Sequence, residues 1–282
     1  MPLELRPLSE PVGVEILGLD LTKQIDPQDQ ERLREAFLKH HLLLVRGQEL
    51  DDDQEIAFAE IFGEVSHQGG NMKHDGKIMH ISNAHEKGAF PTGPLLFHSD
   101  HVFYEHPLKA IALYGEAIPS EGGDTLFANA ALAWDRLSPE LKERVGSLKG
   151  LNVYDYGVNK GSDRFAAEAL SESGINAIHP IAWPHPETGR KILLVNRLMT
   201  DRILDLDKSE SDALLEKLFQ AIDDEEIIYR HRWQLHDLVI WDNRVLQHAR
   251  TDFNPQEKRV LRRVPIGEDA QIEEERRAAG QA

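Results

Sequence analysis

Apolar positions along the chain follow two periods, one near two and one near three and a half. Between Val12 and Leu21 apolar residues alternate with polar or small ones, which predicts a strand whose glycines permit a bulge or a tight bend. Asp26 then caps a helix; Pro27 suits its first turn, and Leu33, Phe37 and Leu38 recur at helical spacing to about His40. His41 to Arg46 is a short apolar strand ended by Gly47. A second helix starts at Asp51 or Asp52, runs through Ile56, Phe58, Ile61 and Phe62, and stops at Gly63. From Glu64 to Gly93 the periodicity fades into Gly, His, Asn and Lys, which predicts loops around one strand at Ile78 to Ile81.

Residues 95–104 predict an extended strand, Ala110 to Glu116 another, and Ser120 to Phe127 a turn that delivers Thr125 onto a third. A helix follows over Ala130 to Val145, with a break near Pro139. The stretch 150–176 carries Tyr154, Tyr156, Gly157, Lys160 and Gly161 before a helical patch, and reads as a lid. Ile178 to Trp183 and Lys191 to Asn196 form a hairpin around His185 to Gly189, and Ser209 to Ile222 is an amphipathic helix with Leu214, Leu215, Leu218 and Phe219 inward. Strands resume at Ile227 and run to Ile266. Among them Leu238 to Trp241 is a buried strand, and a turn at Asp242-Asn243 leads to a second short strand ending at His248. The tail 268–282 is charged and Ala-rich. With no internal repeat and no interdomain linker, the pattern predicts a single domain over 1–282. It is mainly β with flanking helices, on a β-sandwich or jelly-roll core.

Composition narrows the function. Of the 282 residues 40% are hydrophobic, enough for a packed interior, yet no apolar run is long enough to cross a bilayer. The first ten residues lack the basic and apolar regions of a secretory signal, so a cytoplasmic location is expected. Zero cysteines exclude disulfides and thiolate metal sites together. A formal net charge of −17 repels phosphate backbones, so no nucleic-acid partner is expected. Lys258, Arg259, Arg262 and Arg263 nonetheless cluster, on a scale that suits a small anion.

Candidate chemistry centres on His98 and Asp100. In an extended strand residues two apart share a face, so an imidazole and a carboxylate converge. A second, distant histidine would complete a two-histidine, one-carboxylate iron site with open positions, and His248 is the best candidate. With 14 histidines in the chain, a hydrogen-bonded pair in a polar pocket is the competing reading, and His101 or His106 could serve instead. The same alternation puts Arg259, Leu261 and Arg263 on one face and Arg262 on the other. Such a face could hold one or two anions through bidentate guanidinium contacts, or be a solvated edge. His67 is either a substrate contact or an exposed loop residue.

His98-Ser-Asp100, Gly122-Gly-Asp-Thr125, Trp241-Asp-Asn-Arg244 through Gln247-His248, and Arg259 to Arg263 together resemble the taurine and chlorophenoxyacetate dioxygenase family. The likeness extends over nearly the whole chain, including Leu42 to Gln48 and His185 to Asn196. It implies a double-stranded β-helix with iron(II), 2-oxoglutarate as cosubstrate and dioxygen. Carried over, it implies that His98, Asp100 and His248 are the metal-binding and catalytic set. Arg259 would pair with the distal carboxylate of 2-oxoglutarate, and Thr125 would support it. The implied reaction hydroxylates an unactivated C–H of a small organic anion, aryloxyalkanoate- or sulfonate-like, and releases succinate and carbon dioxide. A carboxylate at Asp100 favours hydroxylation over the halogenation of relatives that have a small residue there.

Arg263 matches the position that grips a substrate's acidic group. The chain departs from the family at Phe97, where Trp is frequent, at Met199, where taurine enzymes have Phe, and at Pro94, where they have Asn. The resemblance thus implies a pocket lined by Arg263, His67, Met199 and Pro94 that is more apolar than a taurine pocket. A homo-oligomer, dimer or tetramer, is also implied. The competing functions are a zinc-type hydrolase on the same ligands, or a non-catalytic small-ligand-binding β-helix protein; the net charge disfavours a nucleic-acid demethylase.

Overall fold

The computed structural model describes residues 3–66, 76–85, 88–89, 92–155, 164–172 and 174–267. His67, the middle of the expected lid and the tail 268–282 lie outside them. Strands β1 (Glu4–Pro7) and β2 (Val14–Leu17) precede helix α1 (Pro27–His40), strand β3 (Leu42–Val45) and helix α2 (Asp52–Ala59). Next come β4 (Glu64–Val65), β5 (Met79–Ser82), β6 (Leu95–His98), β7 (Ala110–Ala117) and β8 (Thr125–Asn129), then helices α3 (Ala130–Arg136) and α4 (Pro139–Val145). After β9 (Lys149–Asp155), β10 (Gly174–Pro180), β11 (Ala182–Pro184), β12 (Lys191–Leu193) and β13 (Thr200–Ile203), helix α5 (Lys208–Ile222) leads to the last strands. These are β14 (Ile228–His231), β15 (Leu238–Asp242), β16 (Leu246–Arg250) and β17 (Val260–Gly267).

The helix ends follow their capping chemistry. Asp26 accepts the Gln28 amide ahead of α1, and Asp51 and Gln54 form a reciprocal capping box on α2. Strands β1-β2-β3-β15-β7-β17-β4 make one large sheet, with β5 also paired to β17, and β14-β8-β16-β6 make a second, smaller sheet. The runs Leu42 to Val45 and Leu238 to Trp241 are continuously apolar because the large sheet is covered on both faces. Leu43, Val45, Leu238 and Ile240 pack with Leu33, Phe37, Ile56 and Phe58 under the helices. Leu42, Leu44, Val239 and Trp241 pack with Phe127 and Leu246 of the small sheet. Two packed sheets with helices on the outside realise the expected jelly-roll class.

Several local expectations are corrected. The stretch 64–93 contributes two strands, β4 and β5, instead of one. Residues 149–155 are a paired strand where no strand was expected: β9 pairs with β10 on one side and β13 on the other, in a sheet of its own. The expected strand 178–183 is divided at Ile181, with its first part in β10 and its second in the β11–β12 hairpin. Short strands of mixed polarity such as Thr200–Ile203 carry too few alternations to be legible.

Alternation along β17 separates its basic residues. Leu261 enters the core between the sheets, while Arg262 turns to the helix side. There Arg262 Nε donates to Glu55 Oε2 at 2.8 Å, Nη1 to Asp52 Oδ1 at 2.8 Å and Nη2 to the Leu50 carbonyl at 2.9 Å. Glu55 is wholly buried, so this guanidinium clamps α2 to the sheet. Removing one member of a buried ion pair costs about 3–5 kcal/mol, because it strands the other. Arg262→Ala is therefore expected to lose that order of unfolding free energy in urea; a loss below about 1 kcal/mol would contradict the clamp.

Candidate active site

The small sheet brings the two candidate histidines face to face. In the antiparallel β6–β16 pair His98 is the register partner of His248, and their rings lie 4.1 Å apart between centroids. β6 ends at His98, so Asp100 is not on the same strand face as alternation predicted. Instead the chain turns, with His101 at φ 61°, and the turn carries Asp100 back to the imidazoles. Asp100 Oδ1 sits 3.4 Å from His98 Nε2 and 3.9 Å from His248 Nε2. Among the described residues this is the one group of three or more metal-capable side chains, with donor atoms within 4.8 Å of one another. His101 packs against the rings of Phe103 and Tyr104, and neither it nor His106 belongs to the group.

Asn243, in the turn between β15 and β16, fixes that geometry. Its Oδ1 accepts the Asp100 amide at 2.9 Å, and its Nδ2 donates to the carbonyls of Asp100 at 2.9 Å and Leu108 at 3.0 Å. The Asp-Asn dipeptide signals a turn in the sequence, but not that the turn's side chain grips another loop 143 positions away.

Protonation suits a cation. His98 Nδ1 lies 2.7 Å from the Leu96 carbonyl, which only accepts, so Nδ1 carries the proton and Nε2 presents its lone pair. Burial pushes His248 down to about 3, so its imidazole is neutral. Burial alone would raise the Asp100 carboxyl, but the Arg263 guanidinium beside it outweighs that and holds Asp100 well below the usual carboxylate range. Two imidazoles, with His98 turned so that Nε2 faces His248 and Asp100, and an ionised carboxylate fit a divalent metal of the iron or zinc type.

An anion cradle lies at one end of β8. Arg259 is 2% exposed, and its Nε and Nη2 donate to the Gly123 carbonyl at 3.1 and 2.9 Å. Gly123 has φ 68°, and a Cβ there would meet Arg259 Nε at 2.9 Å, so glycine is what lets the guanidinium approach. No carboxylate among the described residues lies within ion-pair distance of Arg259. Burial and the neighbouring Arg250 push Arg259 down to about 9, which still leaves it charged at neutral pH. Arg250 is itself buried and donates to the carbonyls of Thr92 and Gly93. Thr125, the register partner of Arg250, is 4% exposed, and its Oγ1 accepts the Trp233 Nε1–H at 3.0 Å. Two buried cations with a hydroxyl between strands, and no acid paired to Arg259, are suited to a carboxylate ligand.

Arg263, expected to meet substrate, donates through Nη2 to Asp100 Oδ2 at 2.6 Å and so lies at the metal candidates themselves. Met199 is buried in an apolar cluster with Val102, Phe103, Leu198 and Phe165. Pro94 stands directly before β6, beside the carbonyls that Arg250 holds. Tyr154, which sequence reasoning assigned to a lid, stacks on Phe103 at 4.6 Å between centroids. Burial, reinforced by the charge of Asp100, pushes its phenol up to about 12, which sets Tyr154 near the same centre.

Residues 4–264 match the profile of a family described as taurine catabolism dioxygenase TauD, TfdA family. The chain is 32% identical over 272 residues to an alkylsulfatase of Acinetobacter baylyi, covering 94% of this chain and 84% of that one. It is 31% identical over 267 residues to an (S)-phenoxypropionate/alpha-ketoglutarate-dioxygenase of Sphingobium herbicidovorans, covering 92% of each. The crystal structure of AAD-2 in complex with Mn(II) and N-oxalylglycine superposes with a TM-score of 0.78 at 27% identity, over 94% of this chain and 97% of that one.

The geometry sets a test for the donor set. Asp100→Ala and His248→Ala are expected to weaken Mn(II) binding, measured by calorimetry, by more than the roughly 100-fold that loss of an outer-shell partner can cost. His101→Ala is expected to leave it within a few-fold. A strong loss in the His101 variant alone would reassign the ligands.

Proposed function

The chain belongs to the TauD/TfdA family of dioxygenases, and from that premise we propose that it is an iron(II)- and 2-oxoglutarate-dependent hydroxylase of small organic anions that have an apolar body. The observation that carries this reading is Arg259, a buried guanidinium with no acid within ion-pair distance among the described residues, held by the Gly123 carbonyl just before β8, the strand that pairs with the His248 strand β16. A zinc hydrolase would use the same three ligands but would leave that cation without a purpose.

On this reading His98 Nε2, His248 Nε2 and an Asp100 oxygen hold the metal, and Arg259 with the Thr125 hydroxyl takes the distal carboxylate of the cosubstrate. The iron and cosubstrate supply the oxidation: dioxygen and 2-oxoglutarate are consumed, succinate and carbon dioxide leave, and a substrate C–H becomes C–OH. Asn243 keeps Asp100 in place, and Arg263 binds the carboxylate oxygen turned from His98. The positive charge of Arg263 at this edge is where a carboxylate, sulfonate or sulfate head would settle. Phe103 and Tyr154, stacked beside Met199 and Leu198, offer the apolar wall for the rest of the substrate. Pro94, directly before β6, would add to that wall. That combination suits an aryloxyalkanoate or an alkyl sulfate better than the short polar taurine, in keeping with the names of the two relatives.

Succinate release by anaerobically iron-loaded protein, given 2-oxoglutarate and oxygen across aryloxyalkanoates, alkyl sulfonates and alkyl sulfate esters, tests the reading. Substrate-dependent succinate is expected, absent in Asp100→Ala. Arg259→Ala is expected to raise the KM for 2-oxoglutarate by roughly 30-fold or more, since truncating one side of a buried charge pair costs about 2–5 kcal/mol. No succinate with any compound would remove the oxygenase reading.

A further inference from the structure

Thr125 meets its partner across 108 residues of sequence: Trp233 Nε1 donates to Thr125 Oγ1 at 3.0 Å, both side chains being buried. An indole has one N–H and no acceptor, whereas a hydroxyl has one hydrogen to give and lone pairs to receive. The Trp233 bond therefore occupies an acceptor position of Thr125 and leaves its O–H hydrogen to point elsewhere. No described side chain or carbonyl accepts that hydrogen. Two residues back, the Gly123 carbonyl holds Arg259, and across the β8–β16 ladder Thr125 faces Arg250.

The indole is held from several sides. Trp233 lies in the loop between β14 and β15, and His231 meets its face edge-on at 4.5 Å and 88°. The loop is tied to β7 by Gly115 N donating to the Asp237 carbonyl and His236 N donating to the Gly115 carbonyl, at 3.0 and 2.9 Å. A Cβ on Gly115 would stand 3.5 Å from the Trp233 ring, so the indole packs directly over that backbone. Asp237 Oδ2 fixes the loop from within, accepting Gln234 N at 2.9 Å and Arg46 Nη1 at 2.7 Å.

We infer that Trp233 is a positioning residue for the cosubstrate: by donating to Thr125 Oγ1 it commits the threonine hydroxyl to act as a donor toward the distal carboxylate beside Arg259. This rests on the 2-oxoglutarate reading of the cradle. The bond supplies direction, and Arg259 supplies charge; the two together select a dicarboxylate over a keto acid that lacks the second carboxyl.

The test is calorimetric binding of 2-oxoglutarate and of 2-oxopentanoate, which has the same keto acid end without the distal carboxylate, to the anaerobic iron(II) protein. Trp233→Phe is expected to weaken 2-oxoglutarate by roughly 3- to 10-fold, the worth of one hydrogen bond, and to leave 2-oxopentanoate unchanged. Thr125→Val is expected to do at least as much, Thr125→Ser to bind as the parent does, and the double variant Trp233→Phe with Thr125→Val to bind as Thr125→Val alone. Trp233→His, which keeps a ring N–H, is expected to recover part of the affinity, and thermal midpoints report whether each variant is folded. Equal weakening of both keto acids, no weakening of either, or a double variant worse than Thr125→Val overturns the inference. Failure of the parent protein to bind 2-oxoglutarate at all overturns instead the cosubstrate reading beneath it.

Discussion

Pairing of β6 with β16 is the contact on which the rest of the site depends. It sets His98 opposite His248, and a shift of one residue would turn every side chain of the strand to the other face. Register there is held by the core between the sheets: Leu246, two positions before His248 and so on its face, packs with the large sheet, and Trp241 from β15 lies 4.9 Å from the His248 ring. The third donor depends on the same pair, because Asn243 in the turn leading into β16 grips the loop that leaves β6.

Charge is arranged as deliberately as shape. Of the buried arginines near β17, Arg262 is satisfied by Glu55 and Asp52 and serves the fold, and Arg263 is engaged by the candidate ligand Asp100. Arg259 donates to the Gly123 carbonyl and lies over the Phe253 ring, and among the described residues no carboxylate is within ion-pair distance of it, Asp124 acting only from farther off and Arg250 as a like charge. Burial of a cation without a counter-acid is unfavourable in the isolated protein, and an incoming carboxylate relieves it. Stability given up in burying the cation thus becomes affinity for a ligand of opposite charge.

Much of this was legible in the sequence where a local rule decides the outcome. Asp26 and Asp51 announce helix starts, and Leu42 to Val45 and Leu238 to Trp241 announce strands covered on both faces. The period of two along 259–263 separates Arg262 from Arg263. The convergence of His98 and Asp100 was foreseen for a partly wrong reason: strand alternation predicted it, yet the strand stops at His98 and a left-handed residue at His101 completes the approach. What stayed illegible needs long-range contact. Asn243 on Asp100, Trp233 on Thr125, and β9 as a strand paired on both sides are settled by residues far away in the chain, and no local period marks them.

Under the proposed function, a single molecule of 2-oxoglutarate spans the donors His98, Asp100 and His248 at one end and the Arg259 cradle at the other. Visible absorption of the anaerobic iron(II) protein during titration with 2-oxoglutarate tests this most directly, because chelation of ferrous iron by the keto acid end creates a charge-transfer band. The account predicts a band that saturates at one equivalent per chain in the parent protein, is absent in the Asp100→Ala variant, and in Arg259→Ala needs far more 2-oxoglutarate to appear. No band in the parent protein, or one formed as readily after Arg259 is truncated, would contradict it.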